Sequence, residues 1–311
     1  MDVPETRELA YFVAVAEELH FGRAAQRLGM TQPPLSRAIA RLERRMGVQL
    51  LERTSRSVRL TGAGQVFLTE SRKALDAVTA SVRRAQRAGR TDPKLTLAMK
   101  PNGDAGLLES ILRHYRRDPD AVDVEVIVCG IGEQAPMLRD GRADVAFLTA
   151  PYDDLAGFDT EPLLTQGQMA VLPRAHRLAG RAALTLADLS GEQQPRWPGD
   201  DADAADGRLP EVRDISQVMQ LVALGQVVAI LPESVRQRAW PDVACVPLLD
   251  APPTAVVVAW PERTTSRSVA ALIRASVEAA QVEEAAQAGS PGPESSVDWP
   301  RREVPQAPPG G

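Results

Sequence analysis

The stretch "TQPPLSRAIARLERRMG", residues 31–47, decides how the front of this chain is read. Leu35, Ile39, Leu42 and Met46 are spaced four, three and four apart, the period of one apolar helix face. The remaining surface carries Ser36, Arg37, Arg41, Arg44 and Arg45. With Thr31 as N-cap, Pro33 and Pro34 fall in the first turn, where the amides they lack have no intrahelical partner. Gln32 and Ser36 then project together with Arg37 from the exposed front of the helix. Glutamine can pair with adenine, arginine with guanine, and a proline ring can meet a thymine methyl. Arg41, Arg44 and Arg45 lie further back, placed for phosphates or for acidic neighbours.

Working outward, residues 6–19 read as a first helix with Leu9, Phe12, Val13, Ala16 and Leu19 on one face. "GRAAQRLG" reads as a short second helix with Ala24, Ala25 and Leu28 inward and Gly29 in the left-handed position that ends it. A tight turn at Met30 and Thr31 leads into the quoted helix. A short helix before a helix with base-reading residues at its front is the helix-turn-helix arrangement. Beyond it, "QLLERTSRSVRLT" reads as two strands around a polar tip at Thr54–Ser57, with Arg53, Arg56 and Arg59 alongside. A basic hairpin in that place is a wing.

The string "AA..L..TQPPLSR.I..LE...G..LL.R", followed by "LT.AG", resembles the winged helix-turn-helix of the LysR-type transcriptional regulators. The resemblance implies a transcription factor on a pseudo-palindromic operator of double-stranded DNA. Its interface would hold Gln32, Pro33, Pro34, Ser36, Arg37, Arg41, Arg53 and Arg56. From Thr61 to Arg87 the pattern is one long helix of about 40 Å, with Leu68, Ser71, Leu75, Val78, Val82 and Ala85 three and four apart. The period alone leaves two partners open, this chain's own domain or a second copy. The resemblance implies a linker pairing two chains through Leu68, Leu75, Val78 and Val82, as a homodimer or a homotetramer, with RNA polymerase as a further partner.

Past Pro93 strands and helices alternate, which argues for a parallel or mixed sheet covered by helices. The rear resembles the LysR-family effector domain, whose two lobes are similar to a periplasmic binding protein. The expected fold class is therefore multidomain α/β: a winged helix-turn-helix, a long linker helix and a two-lobed effector domain. The expected divisions are 1–60 for the DNA-binding domain, 61–89 for the linker helix and 90–93 for a hinge. Lobe I takes 94–163 and 265–282, lobe II takes 164–264, and 283–311 is a disordered Pro/Gly/Ser-rich tail.

Ligands of open α/β sheets bind beyond the carboxyl ends of strands. Those ends are Lys100, Pro101, Asn102 and Gly103, then Gly130 and Ile131, then Thr149 and Ala150. Arg196 and Trp197 are candidates from the other lobe. Lys100 beside a helix N-terminus favours an anionic effector; a solvated lysine at a strand end is the competing reading. In the resemblance Asn102 stands where family members often place a serine or threonine, and Ile131 where some use a hydroxyl. Val227, replacing a usual glycine, is expected to narrow the cleft.

Composition agrees with this division. Residues 1–92 carry sixteen Lys/Arg against ten Asp/Glu, while the whole chain has a net charge of −5, so a basic front precedes an acidic rear. Cys129, Cys245 and the three histidines His20, His114 and His176 have no metal-ligand spacing. No GxSxG elbow or phosphate loop supports an enzyme, and no cofactor is expected. No secretory signal or membrane-length apolar run is present, so a cytoplasmic location is expected. Two further readings remain beside the regulator: a DNA-binding protein whose rear does not sense, and a two-lobed enzyme.

Overall fold

The computed structural model describes residues 3–53, 57–89, 91–198, 211–237, 240–262 and 264–289. Arg56 and Trp299 lie outside the described residues. The front is built from α1 (Thr6–Glu18), α2 (Phe21–Arg27) and α3 (Gln32–Met46), then a hairpin of β1 (Leu51–Arg53) and β2 (Val58–Leu60). Their apolar faces enclose one core of Phe12, Val15, Phe21, Ala24, Leu35, Ile39, Leu42, Leu50 and Leu51. The expected left-handed Gly29 is observed at φ 65°. Leu19 is a correction. It takes φ 44° at the C-cap of α1 and is 45% exposed, so it leaves the face on which the spacing placed it.

A single helix, α4 (Gly62–Ala88), follows the wing. Its stripe is unevenly covered within the chain. Leu68 packs on the front core and Ser71 is buried, whereas Val78 and Val82 are exposed. Near its end Ala80 is buried against Gly141, whose φ is 75°. Arg83 Nη1 donates to the Asp140 carbonyl at 2.9 Å. Arg87 reaches the Gly141 carbonyl at 2.6 Å and Asp144 Oδ1 at 2.7 Å.

The rear begins with β3 (Lys94–Met99), α5 (Leu108–Tyr115), β4 (Asp123–Val128), α6 (Gln134–Arg139) and β5 (Val145–Ala150). It continues through β6 (Phe158–Gln166), β7 (Gln168–Pro173), α7 (Ile215–Ala223), β8 (Ala229–Pro232), β9 (Val243–Leu248), β10 (Thr254–Pro261) and α8 (Arg267–Gly289). Two sheets result, ordered β4-β3-β5-β10-β6 and β8-β7-β9. In the first, alternate residues serve opposite faces. Leu95, Leu97, Met99, Val145 and Phe147 pack beneath residues of α5 and α8. Ala98, Ala146 and Leu148 pack on Met137 and Leu138 of α6. Among the described residues no helix is long and apolar enough to cross a membrane.

Three expectations are corrected here. The strand "TAVVVAW" was expected in lobe II, but β10 pairs antiparallel with both β5 and β6 and belongs to the first sheet. Its near-continuous apolar run suits a strand covered on both faces. β6 also stays in that sheet through Gln166, so the chain leaves it at Gly167 and returns within 249–253. Finally, helix α8 continues to Gly289, so residues 283–289 are not an irregular tail.

Candidate nucleic-acid interface and effector cleft

Helix α3 buries Leu35, Ala38, Ile39 and Leu42, which turns the opposite surface outward. Gln32, Pro33, Arg37 and Arg41 are exposed, and Pro34 and Ser36 half-buried. Thr31 caps the helix by its backbone conformation and makes no side-chain cap bond. Among the described residues no carboxylate lies within ion-pair distance of Arg37, Arg41 or Arg44. Arg45 instead pairs with Glu8 of α1, and that hydrogen bond holds the Glu8 carboxyl below its usual range. An open groove of about 840 Å³ runs between α1 and α3, with Arg7, Tyr11, Pro34, Arg41 and Arg44 on its walls.

Glu43 shapes the wing. One carboxylate oxygen accepts the Leu50 and Leu51 amides, both at 3.0 Å, and the other accepts Arg53 Nη2 at 2.7 Å. The Arg53 guanidinium also lies 4.8 Å from the centre of the Phe21 ring. Its charge is thus compensated inside its own domain, unlike that of Arg37.

In the rear, the loops after β3, β4 and β5 converge. Lys100 Nζ lies 3.3 Å from Asp153 Oδ2, and the same oxygen accepts the Thr149 amide at 2.7 Å. The lysine charge is therefore balanced within lobe I. Nor does a helix start beside Lys100. Asn102 and Ala105 take φ 61° and 49°, and α5 begins only at Leu108. Asparagine tolerates the left-handed region better than a β-branched residue, a backbone reason for it to replace threonine here.

Among the described residues the second lobe reaches these loops through Arg213, Gln237 and Gln168, the last against Tyr152. The Ile131 amide donates to the Arg213 carbonyl at 2.9 Å. Gln237 Nε2 donates to the Ala105 carbonyl at 3.3 Å. Behind Arg213, the Val212 amide donates to the Arg196 carbonyl. Arg196 faces Glu211 at 3.9 Å, and its Nε is buried without a hydrogen-bond partner. Trp197 packs on the second lobe's core. Val227 is another correction: it is buried among Val218, Met219 and Val222 and does not narrow the cleft.

Two family models match this chain. The bacterial regulatory helix-turn-helix protein of the lysR family matches residues 6–65, and the LysR substrate binding domain matches 88–281. The chain belongs to the LysR family. Among its LysR-family relatives, the transcriptional regulator AlsR of Bacillus subtilis is 34% identical over 248 residues, 75% of this chain and 82% of that one. The uncharacterized regulator YnfL of Escherichia coli is 36% identical over 267 residues, 79% of this chain and 88% of that one. The crystal structure of CbnR matches with a TM-score of 0.54 at 25% identity, covering 89% of this chain and 99% of CbnR. Full-length BenM matches with a TM-score of 0.50 at 27% identity, covering 94% and 100%. The molecule is thus a LysR-type DNA-binding transcriptional regulator with an effector-binding domain.

Within this LysR-type chain, four residues at the sites escaped the sequence reading. Asp153 balances Lys100 from 53 positions away. Gln168 is buried at the crossover, where its Nε2 donates to the Pro252 carbonyl at 2.7 Å and its Oε1 accepts the Tyr152 hydroxyl at 3.1 Å. Arg213 supplies a bridge by its backbone, which no side-chain motif announces. His20 has no metal-ligand spacing and is instead the N-cap of α2, a role oxygen side chains usually take. Burial pushes both cysteine thiols up, the opposite of the lowered value an activated thiol needs.

Proposed function

We propose that this regulator reads a pseudo-palindromic operator with α3 in the major groove. Gln32, Pro33, Ser36 and Arg37 face base edges, and Pro34 and Arg41 flank the backbone. Arg53 acts through the wing it braces. The carrying observation is that Gln32 and Arg37 stand exposed on the face of α3 opposite its buried residues, with no carboxylate paired to Arg37 among the described residues. Two such helices are brought to successive turns of DNA by pairing of α4, whose exposed Val78 and Val82 supply the contact. Leu68 and Leu75 complete the pairing from the side nearer the chain's own domains. The assembly is a homodimer or a pair of dimers in the cytoplasm, and RNA polymerase is its further partner. It works by binding, not by catalysis.

The effector sits between the lobes, against Pro101, Asn102, Gly103, Ile131, Thr149, Arg196 and Trp197. Lys100, balanced by Asp153, orients that wall and does not offer a free cation. A ligand switches the protein only if it binds two lobe arrangements with different affinity.

The deciding experiment compares Arg37→Ala with the unaltered protein on a genomic fragment selected by binding and on an unrelated duplex. A loss of about 1–3 kcal/mol confined to the selected fragment is expected of a base contact. Equal losses on both duplexes would mark a phosphate contact, and no loss on either would overturn the reading of α3.

A further inference from the structure

The N-cap of α2 is an unusual choice. Oxygen side chains are the favoured caps, yet His20 holds the position with its imidazole. Its Nδ1 accepts both the Gly22 and the Arg23 amides, each at 3.1 Å. A nitrogen that accepts two amide hydrogens carries no proton of its own. In the neutral ring the proton must then reside on Nε2, which becomes an outward donor.

The ring's position depends on Gly22. A Cβ built there would lie 2.9 Å from His20 Cε1 and 3.8 Å from Gln32 Oε1. The missing side chain leaves the imidazole room at the start of α2, with the Gln32 carboxamide oxygen also close to Gly22. His20 is exposed, and among the described residues its Nε2 makes no hydrogen bond. Arg23, whose amide the ring caps, turns its guanidinium back to Glu18, reaching its carbonyl at 2.5 Å and its carboxylate at 3.2 Å.

We infer that His20 is a DNA-contact residue: while Nδ1 caps α2, the Nε2–H donates to a backbone phosphate of the duplex that α3 reads. The inference rests on the proposed placement of α3 in the major groove. In that placement the first helix of the motif crosses the backbone, and phosphate oxygens take most hydrogen bonds in such interfaces. His20 thereby fixes the register of α2 on the same strand whose bases Gln32 and Arg37 approach, and gives no sequence preference of its own.

The test is His20→Asp in the full-length protein. Aspartate is a good cap and suits a helix N-terminus, so the thermal midpoint should hold or rise. It also presents a negative charge where a phosphate would sit, so affinity should fall roughly tenfold or more on the selected fragment and the unrelated duplex alike. His20→Ser keeps a capping oxygen at shorter reach. With that variant, ethylation interference at one phosphate, strong for the unaltered protein, should disappear. Binding of His20→Asp within about twofold of the unaltered protein, or an interference pattern unmoved in His20→Ser, would reduce His20 to a cap. A loss confined to the selected fragment would mean a base contact and also overturn the assignment. Arg37→Ala measured beside them separates the two levels. If it loses selectivity while His20→Asp binds normally, only the role of His20 falls; if it loses nothing, the placement of α3 falls.

Discussion

Gly64 gives the sharpest test of how the reading head is held to the linker helix. It lies in the first turn of α4, and its amide donates to Thr61 Oγ1 at 2.9 Å. A Cβ there would sit 2.0 Å from the Leu50 carbonyl oxygen and 3.0 Å from Leu60 Cδ2. An ordinary carbon–oxygen contact is about 3.3 Å, so α4 and the strand entry must part by more than an ångström. Leu50 cannot yield freely. Its side chain is fully buried, and its carbonyl accepts the Thr61 amide at 3.0 Å and the Thr61 hydroxyl at 3.2 Å. Overpacking of this kind costs about 1–3 kcal/mol, and a weakened hydrogen bond adds about 1 kcal/mol. Gly64→Ala should therefore destabilise the front domain by about 3 kcal/mol, a rise of about a hundredfold in its opening constant. All four tryptophans, at 197, 240, 260 and 299, lie outside the front, so fluorescence follows only the rear. Amide exchange of α1–α3 should lose protection by that factor while the tryptophan transition stays put. Gly62→Ala, two residues earlier and facing open space, should be neutral or stabilise by up to about 1 kcal/mol. If Gly64→Ala keeps its protection within about threefold, the contact with Leu50 does not constrain the helix.

Glu17 joins α1 to α2 through Arg27 and to α4 through Arg72, at 2.7 and 2.8 Å. Burial raises its pKa, but the two guanidinium hydrogen bonds outweigh that and leave it lowered. Its contribution to stability is thus complete above the unfolded glutamate value and is lost as pH falls through the lower folded one. Glu17→Gln should flatten the acid dependence of front-domain exchange below about pH 4.5; an unchanged slope would count against the pairing. Arg87→Ala removes two contacts that tie α4 to the turn before β5 and should cost about 1–3 kcal/mol, seen as faster exchange at the end of α4. Asp153→Asn releases the Lys100 charge and should strengthen binding of small carboxylates to the cleft, measured by calorimetry. Val78→Asp should halve the mass found by light scattering, and an unchanged mass would refute pairing through that part of α4.

The front domain was legible because its signals are local. Caps, a left-handed glycine and four apolar positions on α3 each specify their own turn, and α3 runs Gln32–Met46 within the stretch first quoted. Leu19 failed because the helix ended one residue sooner than its apolar period. In the rear, fold class was readable but partnership was not. The alternating pattern marks strands without saying which sheet takes them, so β10 went to the wrong lobe. The edge strand β6, "FDTEPLLTQ", contains Pro162 and a register shift opposite Val256 and Val257, features that hide a strand from periodicity. Lys100 kept the appearance of a free cation because its partner lies in a loop with no motif.

What the sequence conceals most is that one strand joins the two functions. At Thr96, the third residue of β3, Asp144 accepts the strand amide at 2.9 Å and also Arg87 of the linker helix at 2.7 Å. The strand ends at Met99, immediately before Lys100 and the left-handed Asn102 of the cleft. The four steps from Thr96 to Lys100 span about 13 Å of extended chain, so the linker contact and the cleft wall are joined by one buried, nearly incompressible element. A lobe rotation about Gly167 and residues 249–253 would move the Arg213 and Gln237 contacts on the cleft loops while leaving the α4 contact on lobe I intact. The linker helix would then follow lobe I as one body, and lobe II would be the part displaced. We propose that an effector acts through that rotation, displacing lobe II while the contacts of Arg83 and Arg87 on lobe I hold.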